Sequence, residues 1–122
     1  MAVALVAGAA MGAATVGAVY AAAGKMPAYT IAEIDITDAA TFQQFAQRNM
    51  AGVSAAGGHF LALRGKVAAE NGTPPKDVAL IAWDSLDQAI AYFGSPTFKE
   101  LIPLRDKGAN VRLFHVEGLA MK

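Results

Sequence analysis

Residues 77–84, Asp-Val-Ala-Leu-Ile-Ala-Trp-Asp, form a strand-length run that is apolar on both of its sides. Successive side chains of a strand point to opposite faces, so Val78 and Leu80 share one face while Ile81 and Trp83 share the other. The run at 111–117 repeats the pattern, with Leu113 opposed to Phe114 and Val116. Strands of this kind need cover on both faces, which excludes an open sheet with one wet side. The remaining residues have to supply two different covers.

Helices supply one of them. Residues 29–36 are rich in β-branched side chains and end at Thr37-Asp38, either of which caps a following helix. That helix is expected over 39–56, with Phe42, Phe45, Ala46, Met50 and Val53 inward and Gly57-Gly58 as its stop. A strand follows at His59-Phe60-Leu61-Ala62-Leu63, with a bulge expected at Gly65. Asn71-Gly72-Thr73-Pro74-Pro75 then turns the chain into the 77–84 strand, making a hairpin. Ser85 and Gln88 make a capping box for a short helix with Ala89, Ile90 and Phe93 inward, ended by Gly94. Ser95-Pro96 opens another helix, which Pro103 has to kink or restart before Arg105 and Lys107. The order is β-α-β-β-α-β: a ferredoxin-like α+β domain, a four-stranded antiparallel sheet with its helices on one face. The second face then requires another sheet, and the expected partner is a second copy of the chain, packed sheet against sheet as a homodimer in a dimeric α/β-barrel.

All twenty charged residues fall from Lys25 onward, and nineteen of the first 24 residues are Ala, Gly or Val. This segment, 1–24, reads as a signal peptide, with Ala21-x-Ala23 as the cleavage signal, or as an anchor, and residues 25–122 as one domain. Cleavage predicts a periplasmic or secreted protein with no stable membrane span in the mature form; the alternative is an Ala-rich helix on a cytoplasmic protein. No Lys or Arg precedes the apolar run, a departure from signal-peptide pattern. Ten basic side chains balance ten acidic ones, so nothing in the net charge favours nucleic acid. The absence of cysteine excludes thiolate catalysis, disulfides and Cys-ligated metals.

A small ligand in this architecture sits in the cleft between helices and sheet or in the lumen between facing sheets. Glu33 and Asp35 share a strand face, where two close carboxylates raise one proton affinity toward the general acid and base range; the plainer reading is a solvated strand end. Arg64 beside Gly65 offers a bidentate grip on a carboxylate or enolate, or else an ion pair across subunits with Glu33, Asp35 or Glu117. His115 is either a base near neutral pH or a hydrogen-bonded structural residue. Trp83 and Tyr92 make an aromatic wall for a flat ligand or pack the core. His59 and His115 are the only histidines and lack a spaced third ligand, so neither metal nor cofactor is expected. No Gly-rich phosphate loop or G-x-S-x-G elbow occurs.

The ordered set of Tyr29-Thr-Ile-Ala-Glu33-Ile-Asp35, Gly57-Gly58-His-Phe-Leu, Leu63-Arg64-Gly65-Lys66, Asn71-Gly72 before Pro74-Pro75, Trp83-Asp84-Ser85, Ser95-Pro96-Thr-Phe98, Leu104-Arg105 and Val116-Glu117-Gly118 resembles the family catalogued as domain of unknown function 1330. The resemblance covers about residues 27–119. It implies a bacterial, dimeric α/β-barrel protein in which an alanine-rich export leader is ordinary. It departs at Lys66, where many relatives carry Gly, and at His59, where Arg or Lys is frequent. By fold analogy, related dimeric barrels imply cofactor-free isomerase or monooxygenase chemistry on an activated carbonyl or phenol, with Arg64 holding the oxyanion and a carboxylate or His115 moving a proton. The resulting expectation is a small-molecule site lined by Glu33, Arg64, Trp83 and His115; the alternative is a non-catalytic structural or protein-interaction module.

Overall fold

Each strand-forming run of the sequence enters a single antiparallel sheet in the computed structural model, which describes residues 26–120. The expected leader at 1–24 lies outside the described residues. In chain order the elements are β1 (Ala28–Ile36), α1 (Ala39–Ala55), β2 (His59–Leu63), β3 (Asp77–Trp83), α2 (Leu86–Phe93), α3 (Pro96–Lys99), α4 (Ile102–Gly108) and β4 (Ala109–Glu117). The strands lie in the order β2-β3-β1-β4, every neighbour antiparallel, which is the ferredoxin-like arrangement with β1 and β3 in the middle.

Local chemistry explains the boundaries. Asp38 accepts the Thr41 N–H at 3.2 Å to open α1. Gly57, at φ 93°, closes it in the left-handed region that a side chain disfavours. Ser85 accepts the Gln88 N–H at 3.1 Å, but the Gln88 carbonyl oxygen turns back to the Asp84 N–H at 2.8 Å instead of that of Ser85. Its amide nitrogen donates to Ala56 O at 2.9 Å, so one side chain ties the start of α2 to the end of α1. Pro103 restarts the chain: α3 stops at Lys99, and the proline sits in the first turn of α4, where its missing N–H leaves no gap.

Three local expectations are corrected. The bulge falls at Leu61, where register jumps between Phe60 and Ala62, and not at Gly65. Ile90 is 52% exposed while Tyr92 is buried in its place. The Tyr92 ring fills the core as its hydroxyl reaches Asn49 on α1 at 2.8 Å, a partner that hydropathy ranking does not weigh. Met50, expected inside, is 43% exposed.

The core lies between the sheet and the helices. Ala32, Ile34, Ala79, Ile81 and Trp83 face Phe42, Phe45, Val53, Tyr92, Phe98 and Leu101. The aromatics interlock, with Phe93 and Phe98 edge to face at 4.6 Å between centroids. On the other face of the sheet the register aligns Tyr29 with Val116 and Ala82, and Ile31 with Phe114 and Leu80. Phe114 and Val116 remain 38% and 47% exposed there. Among the described residues no helix is long and apolar enough to cross a membrane.

Candidate functional site

The helix-covered side of the sheet is not completely filled. Ala32, Ile34, Ala79, Ile81, Val111 and Leu113 form the floor of a cleft of about 40 Å³, roofed by Phe42, Phe45 and Ala46 of α1 and closed by Phe93 and Phe98. That is more than the ~10–15 Å³ one water molecule requires. Met50 and Leu63, both partly exposed, stand at its rim with Asn49 and Arg105. Two of the lining side chains are polar, Asn49 and Arg105; the rest are aliphatic, aromatic or, at Met50, a thioether.

Beside the cleft runs a buried polar thread. The Trp83 Nε1–H donates to Thr30 Oγ1 at 2.8 Å, and the same hydroxyl meets His115 Nδ1 at 2.9 Å. Thr30 is fully buried, and one hydroxyl, with a single proton and two lone pairs, serves both rings. The register causes this, because Thr30 pairs with His115 on β4 and lies two residues from Ala28, on the same face, whose partner on β3 is Trp83. Burial pushes the His115 imidazole below its ordinary range, so it is neutral near pH 7. Its ring lies 5.1 Å from Phe93, the side chain that separates it from the cleft.

Glu33 faces the other way. It lies on the open face, where Arg112 Nε and Nη2 donate to its two carboxylate oxygens at 3.2 and 2.8 Å. That hydrogen bonding holds the Glu33 carboxyl below the usual range, the reverse of the raised value that a general acid would need. Asp35, on the same face, pairs with Lys76 at 3.3 Å instead of with Glu33. Arg64 sits past the end of β2 at φ 54° and pairs loosely with Asp77 at 3.6 Å, within its own chain. Gly65 admits no close neighbour: nothing lies within 4 Å of where a Cβ would stand. Trp83 is buried behind the thread and does not line the cleft, and burial pushes the Tyr92 hydroxyl up.

The expected common cavity of Glu33, Arg64, Trp83 and His115 is therefore not formed within one chain. Alternation along the strands puts Glu33 and His115 on opposite faces of the sheet, and Arg64 lies outside both. His59 pairs with Ala82 on the open face, so the two histidines are also separated, and no three His, Asp or Glu side chains converge among the described residues. Sequence reading missed Thr30, Asn49 and Arg105. Asn49 follows Phe42 and Phe45 on the inward stripe of α1, and Arg105 lies one turn beyond the buried Leu101. A polar residue inside an apolar stripe was the available signal in all three.

A family model described as Domain of unknown function (DUF1330) matches residues 27–119, and the chain belongs to that family. Among solved structures, a protein of unknown function from Rhodopseudomonas palustris superposes with a TM-score of 0.63 at 13% identity, covering 93% of this chain and 98% of that one. A hypothetical protein from Arabidopsis thaliana gives 0.55 at 12% identity over 81% and 92% of the two chains. SnoaB from Streptomyces nogalater, described as a cofactor-independent oxygenase, gives 0.54 at 14% identity over 76% and 92%. Identities this low speak for the fold. Nothing matches among the curated proteins.

Proposed function

We propose that this member of the DUF1330 family binds a small, largely apolar organic molecule in the cleft between α1 and the sheet, and acts as a homodimer joined through the open sheet face. The observation that carries the first part is the cleft itself: a gap of about 40 Å³ in an otherwise interlocked aromatic core, short of the ~150 Å³ that encloses a benzene ring, so the ligand inserts one end and rests the remainder on the partly exposed Met50 and Leu63 at the rim. Native mass spectrometry of protein purified from its own host tests both parts. A dimer retaining a defined organic mass is the expected result; a monomer with nothing bound overturns both.

Support for the dimer comes from the apolar residues Tyr29, Ile31, Leu80, Phe114 and Val116, which share a face that no helix covers. A second sheet is the cover that a flat, apolar surface of this kind fits. Export is proposed on the composition of residues 1–24 alone. N-terminal sequencing of the native protein is its test, and an intact Met1 on a cytoplasmic product ends it.

Cofactor-free oxygenase or isomerase chemistry is the second reading. It is favoured by the neutral His115, anchored through Thr30 next to a cleft-lining ring, and by a shared fold with SnoaB. His115→Gln separates this reading from that of a non-catalytic module. A variant that still dimerises and binds but no longer consumes a phenolic substrate supports catalysis; unchanged behaviour supports the module.

A further inference from the structure

One cation stands among the hydrocarbon walls of the cleft, and its position says what kind of molecule the cleft selects. We propose that the ligand is anionic at one end, a carboxylate or phenolate on a small aromatic or aliphatic body, and that Arg105 holds the anion. This rests on the reading of the cleft as a ligand site.

The Arg105 side chain is only 20% exposed, and its guanidinium lies 5.9 Å from the centre of the Phe98 ring, itself a wall of the cleft. A guanidinium carries five N–H donors. Among the described residues its polar partner is one oxygen: Asp106 Oδ1, 3.1 Å from both Nε and Nη2. Asp106 is 61% exposed and does not line the cleft, so water competes for that carboxylate, and the remaining donors are open to water at the cleft mouth, since no buried nitrogen is left without a partner among the described residues. A half-sheltered guanidinium whose donors are held only by water and one exposed carboxylate is free to exchange them for a planar anion that meets two in parallel. The other polar lining residue agrees in sign. Asn49 spends its carbonyl oxygen on the Tyr92 hydroxyl, which leaves its amide N–H2 as the group it can offer. No Asp or Glu lines the cleft. Both polar groups at the mouth thus present donors, which suits an anion, gives a neutral alcohol little, and repels an ammonium.

Titrations of the full-length, isotopically labelled chain with benzoate, benzyl alcohol and benzylammonium, followed by amide chemical shifts, test this. Benzoate is expected to bind about tenfold or more tightly than benzyl alcohol, with shifts at Phe98 and Leu113, and benzylammonium not at all. Arg105→Met should bring benzoate down to the affinity of benzyl alcohol and leave benzyl alcohol unchanged. Asp106→Asn, at an exposed site that does not threaten folding, removes the competing carboxylate and should tighten benzoate about threefold. Equal binding of benzoate and benzyl alcohol, or benzoate shifts confined to surface lysines, overturns the anion assignment and leaves the cleft reading standing. If none of the three probes binds, both fall.

Discussion

The two faces of the sheet are built from the same strands and are finished in opposite ways. Towards the helices, β1 presents Ala28, Thr30, Ala32 and Ile34, all buried, under a layer of interlocked aromatics. Away from them it presents Tyr29, Ile31, Glu33 and Asp35, and β4 adds Phe114, Val116 and Arg112. The first face carries its polar groups inside, satisfied by one another through Thr30. The second keeps its charges in ion pairs towards one end, Glu33 with Arg112 and Asp35 with Lys76, and leaves its centre apolar. One face thus contributes stability to a single chain, and the other is suited to contribute it only when two chains meet.

Substitutions that treat the faces as equivalents should separate them most. Phe98→Ala empties a core position and is expected to cost about 3–5 kcal/mol, at any protein concentration. In the proposed dimer the wild-type melting temperature falls on dilution, and Phe114→Ala on the open face should lower it further by weakening association, which calorimetry at two dilutions reads. Equal, concentration-independent losses would remove the distinction.

Next in size is the thread. Thr30→Val keeps the shape but strips a partner from both Trp83 and His115, and should cost about 1–3 kcal/mol in urea denaturation. Trp83 is the only tryptophan, so its fluorescence follows that unfolding directly. Outside both faces, Arg64 occupies the left-handed region at φ 54° with only a loose ion pair to hold it. Arg64→Gly should therefore raise stability slightly, by up to about 1 kcal/mol, whereas a large loss would mean that Arg64 matters to a face after all.

A pH profile gives the mildest test. Burial lowers the folded-state pKa of His115, so folding favours its neutral form. The contribution is fully present above the unfolded value of about 6.5 and declines as pH falls through it towards the lowered folded value. His115→Gln should flatten that stretch of the stability curve; a wild-type curve with no slope there would place the ring in water.

Much of this was legible locally. Asp38, Ser85 and Ser95 cap helices, and Gly57 ends one, because a cap requires only residues within one turn. The apolar character of both strand faces followed from reading the strands with period two, and the one-sided placing of helices from the β-α-β-β-α-β order. What failed depended on distant partners. Ile90, expected inside, lies outside because Tyr92 takes the core position, its hydroxyl held by Asn49, 43 residues away. Glu33, readable from sequence as an acid or as a solvated strand end, is held by Arg112, 79 residues away, and Arg105, correctly placed in the last turn of α4, also meets Phe98 and the cleft.

By itself, then, the sequence determined the order of elements, their ends, and a sheet with apolar side chains on both faces, since propensity, capping and alternation act between near neighbours. Tertiary structure decided which polar side chains meet. The register across β1 joined Thr30 to both His115 and Trp83 and sent Glu33 to the opposite face, and the packing of α1 against the sheet left a gap with Arg105 at its edge. Those are contacts between residues far apart in the chain, and their geometry exists only once the strands have paired.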